Sequence, residues 1–268
     1  MLHYKFYRAN QSTKHLLVML HGFISDHQAF DNHIKIMKKN VNIVTIDLPG
    51  HGVDESPFDK EWDFPFINQQ LDETLEVFKG YQLFLHGYSM GGRIALYHAI
   101  HGNTKLTGLV LESTSPGIED KTAQIERQQV DNARAKVLEI AGLEVFVNDW
   151  EKLPLFYTQY DLDKATKVSI RNMRMRQNAP RLAKALRDYG TGKMPNLWSE
   201  LSQIQIPTCI IVGTLDGKFC EIAQKMVSII PQTELFEIAQ SGHTVHVEVM
   251  AEFDRIVLGF IQKEEQND

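Results

Sequence analysis

Residues 82–95 read QLFLHGYSMGGRIA. The apolar run Gln82–Leu85 has the length and composition of a buried strand. It leads directly into Gly87-Tyr88-Ser89-Met90-Gly91, a G-x-S-x-G pattern, and then into a helix-forming stretch. Strand, sharp turn and helix in that order can present a serine hydroxyl at the top of a parallel sheet. The turn is so tight that a Cβ two residues to either side of the serine would collide, which accounts for both glycines. The helix that follows offers free N–H groups and the positive end of its dipole. Taken alone, the stretch would also suit an ordinary serine at a helix N-cap.

Working outward from this turn, further short apolar runs bounded by Gly, Pro and Asp predict strands at Leu16–Leu20, Val41–Ile46, Leu106–Leu111, Thr208–Val212 and Thr233–Ile238. Amphipathic stretches near 27–39, 66–79, 91–102, 219–230 and 247–262 separate most of them. This alternation predicts an α/β fold, a mostly parallel sheet flanked by helices. It stops near Pro116 and resumes near Pro207. Residues 116–200, rich in helix formers and in Arg and Lys, are expected to form a helical cap. The core would then comprise 1–115 and 201–268. A cap inserted between strands of one sheet belongs over their C-terminal ends, where ligands of such sheets bind.

The chain has 268 residues, 43% of them hydrophobic and 23% charged. This is a globular composition, and it excludes disordered and low-complexity classes. Two cysteines, Cys209 and Cys220, are too few for a disulfide framework and lack metal-ligand spacing. No His/Cys/Asp/Glu cluster has the spacing of a metal site, so neither a metal nor another cofactor is expected. The N-terminal MLHYKFYRANQ lacks a signal peptide's apolar segment. No apolar run approaches the ~18 residues of a membrane span. A cytoplasmic protein is expected, and the sequence leaves its oligomeric state open.

A serine nucleophile needs a base and an acid to orient that base. Asp216, in Gly213–Phe219 (GTLDGKF), follows a predicted strand, and His243, in Ser241-Gly242-His243, follows the next. The chain order Ser89, Asp216, His243 is the one expected on this kind of sheet. Glu112 and His246 are the competing acid and base. His21-Gly22-Phe23 follows the first predicted strand, so the Phe23 N–H could join that of Met90 in an oxyanion hole. His21 and His86 are possible walls of the site, and the other histidines read as packing or surface residues.

The net charge is −6, unevenly spread. Residues 120–195 carry 14 basic and 10 acidic side chains, a net of +4, which leaves −10 on the remainder. From Lys164 to Arg187 there are eight basic residues and no acid. Such a run reads either as a solvated helix face or as a cationic wall for a multi-anionic small molecule. Nucleic acid is disfavoured as a partner by the acidic total and the absence of its motifs.

HGF at 21–23, DLPGHG at 47–52, GYSMGGR at 87–93, GTLDGKF at 213–219 and SGH at 241–243 together resemble the α/β-hydrolase superfamily. NDWEKLPLF, RMRQNAPRLAKALRDYGTG and MPNLW add a closer resemblance. It is to the 2-succinyl-6-hydroxy-2,4-cyclohexadiene-1-carboxylate synthases of menaquinone biosynthesis. The resemblance implies an elimination of pyruvate rather than a hydrolysis, on a substrate with three carboxylates. It also implies that Arg93, Arg127 and Arg174 bind those carboxylates, with Arg174 chosen over Arg176. QNAP departs from the family pattern at that point. Tyr88, Trp150 and Phe156 would line the pocket, while Arg134, Arg171, Arg181 and Arg187 would lie on the surface. Two rival readings stay open: a serine esterase or carbon–carbon bond hydrolase of the same fold, and a binding module that has kept the fold. The intact Ser89, Asp216 and His243 count against the module, because a receptor has no need of all three.

Overall fold

The computed structural model describes residues 1–265. Seven strands form one sheet: β1 (His3–Tyr7), β2 (His15–Leu20), β3 (Asn42–Asp47), β4 (Gln82–Tyr88), β5 (Gly108–Glu112), β6 (Thr208–Gly213) and β7 (Thr233–Ile238). Their order across the sheet is β1-β3-β2-β4-β5-β6-β7. Only β1 runs antiparallel to its neighbour, with His3 opposite Asp47. The helices are α1 (Asp31–Met37), α2 (Phe64–Leu75), α3 (Met90–His101), α4 (Lys121–Ile140), α5 (Gly142–Trp150), α6 (Lys164–Met175), α7 (Ala179–Tyr189), α8 (Gly217–Val227), α9 (Val245–Glu248) and α10 (Met250–Glu265).

β2 and β3 are buried along their whole length. This is why they read as unbroken apolar runs rather than alternating ones. Their side chains still alternate between faces. Leu16, Val18 and Leu20 join the core beneath α2, α3 and α8. Leu17 and Met19 join a second core beneath α1 and α10.

The apolar runs do not predict β1. It is a five-residue edge strand with partly exposed side chains, too short and too polar for an apolar-run criterion. The predicted strand at Leu106–Leu111 begins two residues late and ends one later, at Gly108–Glu112.

Helices α4 to α7 stand between β5 and β6. Their starts follow from capping: Asp120, Asp163 and Asn178 accept N–H bonds from Ala123, Thr166 and Arg181. Ala135, Leu138, Phe146, Val147, Leu182 and Leu186 form a separate small core, which closes on Ile24 in the loop after β2. These helices are thereby seated on the loop that leaves β2, the strand beside β4.

Candidate active site

Ser89 lies between β4 and α3 with φ 51° and ψ −105°. A positive φ is uncommon for a residue with a Cβ and persists only where its surroundings enforce it. The neighbouring glycines do so by close approach. A Cβ on Gly87 would lie 2.4 Å from the Gly91 carbonyl oxygen, and one on Gly91 would lie 2.4 Å from that of Leu20.

The serine hydroxyl lies 3.0 Å from His243 Nε2, in position to donate to it. His243 Nδ1 donates to Asp216 Oδ2 across 2.6 Å. Asp216 follows β6 and His243 follows β7. Three strand ends of one sheet thus bring together side chains 154 residues apart in sequence. Met90 opens α3, where first-turn N–H groups have no intrahelical carbonyl. Phe23, in the loop after β2, lines the same chamber of about 660 Å³ as Ser89, Met90 and His243.

The competing acid and base partner each other. Glu112 Oε1 accepts bonds from the N–H of His246 (3.0 Å) and from its Nδ1 (2.9 Å). Glu112 Oε2 accepts from His86 Nε2 (3.2 Å). Burial alone would raise the Glu112 pKa, but the His246 and His86 imidazoles outweigh it and hold the carboxyl below the usual range. The Glu112 carbonyl also accepts the Ser89 N–H at 2.9 Å. This cluster therefore supports the turn from beneath.

Glu112→Ala would strip the acceptor from three buried donors, at about 1–3 kcal/mol each. Thermal unfolding should show a melting temperature lower by several degrees. Glu112→Gln, which keeps a carbonyl acceptor, should cost less. If Glu112→Gln abolished turnover while folding normally, Glu112 would have to act in the chemistry.

His21 and His86 do not form walls of the chamber. His21 is fully buried and tied to the Gly22 carbonyl and the Leu48 N–H. It joins the loops after β2 and β3. Burial lowers the pKa of both imidazoles.

Tyr88, Trp150 and Phe156 all line the chamber. The Tyr88 hydroxyl lies 2.9 Å from Thr244 Oγ1, and its ring centroid lies 5.5 Å from that of His243. Trp150 stacks on Phe146 at 5.5 Å and meets Phe23 at 5.2 Å. Phe156 presents its ring to His243 at 6.1 Å.

The cations do not lie where the charge run suggested. Arg93 is buried in the chamber wall, and among the described residues its guanidinium donates one hydrogen bond, to the Tyr189 carbonyl at 3.3 Å. Among the described residues, no carboxylate pairs with it. Burial, followed by the charge of Arg127, pushes its pKa down to about 10. Arg127 bonds Asp131 through Nε at 2.9 Å. Arg134, expected on the surface, instead lines the chamber, with its guanidinium 5.2 Å from the Trp150 ring centre. It lies 3.9 Å from the same Asp131. Arg127 and Arg134 thus share one acid while Arg93 has none among the described residues, and the chamber retains excess positive charge.

The run from Lys164 to Arg187 is largely neutralised by acids from elsewhere in the chain. Arg171 and Arg174 pair with Glu151, Arg176 with Asp26, Arg181 with Asp54, and Arg187 with Glu139. Arg174 also donates to Gln159 at 3.0 Å and lies over the Phe156 ring. It borders a neighbouring cavity of about 600 Å³, behind Tyr88 and Phe156, rather than the serine chamber. Of the three arginines expected to bind the carboxylates, Arg93 and Arg127 line the serine chamber and Arg174 lines this second cavity. Arg176 is directed to Asp26 in the loop after β2.

A serine, a histidine and a carboxylate on three strand ends, with the serine on a strained turn beneath helices, define a triad enzyme of the α/β-hydrolase type. The alpha/beta hydrolase fold family matches residues 15–248. The chain belongs to that family and, within it, to the 2-succinyl-6-hydroxy-2,4-cyclohexadiene-1-carboxylate synthases. The synthase of Yersinia pseudotuberculosis is 30% identical over 248 residues, 92% of this chain and 87% of that protein. A Bacillus subtilis (strain 168) protein, provisionally named as the same synthase, is 36% identical over 91% of this chain and 89% of its own length. The solved structure of MenH from S. aureus superposes with a TM-score of 0.97 at 52% identity, covering 99% of this chain and 100% of that one.

Proposed function

We propose that the chain is a 2-succinyl-6-hydroxy-2,4-cyclohexadiene-1-carboxylate synthase of menaquinone biosynthesis, a lyase that eliminates pyruvate from 2-succinyl-5-enolpyruvyl-6-hydroxy-3-cyclohexene-1-carboxylate. The observation that carries this reading is Arg93. It is a desolvated guanidinium without a carboxylate partner, in the same chamber as a formed triad. A simple ester gives such a cation no partner, whereas a substrate with three carboxylates does. Arg127 and Arg134 supply two further forks on the same side.

The Ser89 hydroxyl acts as base on the ring C–H beside the succinyl carbonyl and passes its own proton to His243 Nε2. Asp216 holds Nδ1–H and stabilises the imidazolium that forms. The charge arriving on the succinyl oxygen is taken by the N–H groups of Phe23 and Met90. The electron pair then moves through the ring double bond and breaks the ring carbon–oxygen bond. The departing enolate of pyruvate takes up the proton from His243. No acyl-enzyme forms. Tyr88, Trp150 and Phe156 give the ring an apolar seat and exclude water.

In this reading residues 1–115 and 201–268 are the catalytic core and 116–200 the cap. We place the protein in the cytoplasm, where its free Cys209 and Cys220 would remain reduced. No described helix is long and apolar enough to cross a membrane.

The test compares pyruvate release from the enolpyruvyl substrate with cleavage of a short p-nitrophenyl ester. Fast pyruvate release that disappears in Ser89→Ala, with little ester cleavage, is expected. Ester turnover without pyruvate release would make the chain a hydrolase of the same fold.

A further inference from the structure

On the edge of the sheet, away from the serine, two imidazole nitrogens are buried with no partner among the described residues. They are Nε2 of His3 and Nε2 of His27. His3 is the first residue of β1, and His27 opens the short turn of helix after the β2 loop. The two rings lie with centroids 5.8 Å apart. Buried polar atoms are rarely left unmatched, and an unmatched one marks a site for a water or an ion.

The remaining geometry favours an ion. His27 presents Nδ1 to the Asp47 carboxylate, at 3.0 Å from Oδ1 and 2.9 Å from Oδ2. With its proton on Nδ1, facing the carboxylate, the neutral ring carries its lone pair on Nε2. A carboxylate behind a histidine, with the opposite nitrogen free, is how proteins orient a metal-binding imidazole. Asp47 is itself fixed by the His27 and Val53 N–H groups, at 2.8 and 3.1 Å. It also stands opposite His3 in the β1–β3 register, so the two side chains share a face. One donor atom from each of His3, His27 and Asp47 lies within 4.8 Å of the others.

We propose that His3 and His27 bind a divalent transition metal of the Zn²⁺ type through their Nε2 atoms, with Asp47 orienting His27 and water completing the shell. Two imidazoles select Zn²⁺, Ni²⁺ or Cu²⁺ over Mg²⁺ and Ca²⁺, which prefer oxygen. The ion would tie the edge strand β1 to the loop after β2. Its effect is therefore on stability, and no step of the elimination passes through it.

The experiment titrates Zn²⁺ into the full chain, freed of any affinity tag, against a chromophoric chelator, and follows the melting temperature in parallel. One equivalent should bind and raise the melting temperature, and Mg²⁺ should do neither. His3→Gln lies at a partly exposed strand start and should fold. It should weaken Zn²⁺ binding by about tenfold or more, the scale on which even outer-shell changes act, and abolish the thermal shift. His3→Cys, which supplies a thiolate, should retain both. If the parent chain bound no Zn²⁺, the two nitrogens would be matched by water. If His3→Gln bound as well as the parent, others of the 11 histidines would be responsible. Either result overturns the proposal, as would a His3→Cys no better than His3→Gln.

Discussion

Ser89→Ala should lower the turnover of pyruvate release by about 10²- to 10⁴-fold, the range that a positioned general base contributes. His243→Ala should fall as far, and the double variant Ser89→Ala/His243→Ala little further. The reason is the geometry. Ser89 can accept a proton only while His243, 3.0 Å away, takes the one it already holds. Either loss therefore removes the same base. Groups that act as one unit give strongly non-additive losses. Asp216→Asn should also be damaging, because an amide facing Nδ1 across 2.6 Å can favour the wrong imidazole tautomer. Single-turnover kinetics on the four proteins would check this. Losses that multiply in the double variant would mean that serine and histidine act in separate steps, and the proposed relay would fail. The residual rate is informative as well. Phe23 and Met90 offer backbone N–H groups that no side-chain change removes, so the oxyanion contribution should survive in all four.

The elements most legible in the sequence were those whose requirements are local. Ser89 was legible because a strained turn demands glycines at 87 and 91, and each would collide with backbone if it carried a Cβ. Asp216 and His243 were legible because they follow apolar runs that become adjacent parallel strands. What sequence could not supply was the identity of partners distant along the chain. Eight cations without an acid between 164 and 187 fit both a solvated helix face and a cationic wall for a small polyanion. Folding brings Asp26, Asp54, Glu139 and Glu151 onto that run from four other segments. Arg134 was missed although a signal existed. Positions 127, 131 and 134 fall on one helix face, so Arg127, Asp131 and Arg134 had to be neighbours. If Arg127 reached the chamber, Arg134 was bound to lie near it. β1 was missed because an edge strand needs only one buried side and five residues, which leaves too little pattern to read.

Arg93→Met should separate stability from activity, moving them in opposite directions. Arg93 is 8% exposed, and among the described residues its guanidinium bonds one carbonyl, at 3.3 Å. It sits in the opening turns of α3, where the helix dipole also disfavours a cation. Burial and Arg127 hold its pKa down to about 10. All three facts describe a charge that the fold itself holds at a cost. Methionine keeps most of the volume and removes the charge, so the melting temperature should stay level or rise. With substrate bound, the same guanidinium would face a carboxylate in a desolvated wall. Removing one partner of such a pair costs roughly 2–5 kcal/mol. At 1.4 kcal/mol per tenfold, kcat/KM should fall by about 30- to 4,000-fold. The fall should appear mainly in KM if the contact is equally strong throughout the reaction, and in kcat if it strengthens as the enolpyruvyl carboxylate departs. Arg93→Lys should recover little, because a point charge cannot make two parallel bonds to a carboxylate. The parent kcat/KM should decline with added salt more steeply than that of Arg93→Met. An Arg93→Met protein that melted lower and kept its kcat/KM would show that the arginine serves packing, and the polycarboxylate reading of the chamber would lose its main support.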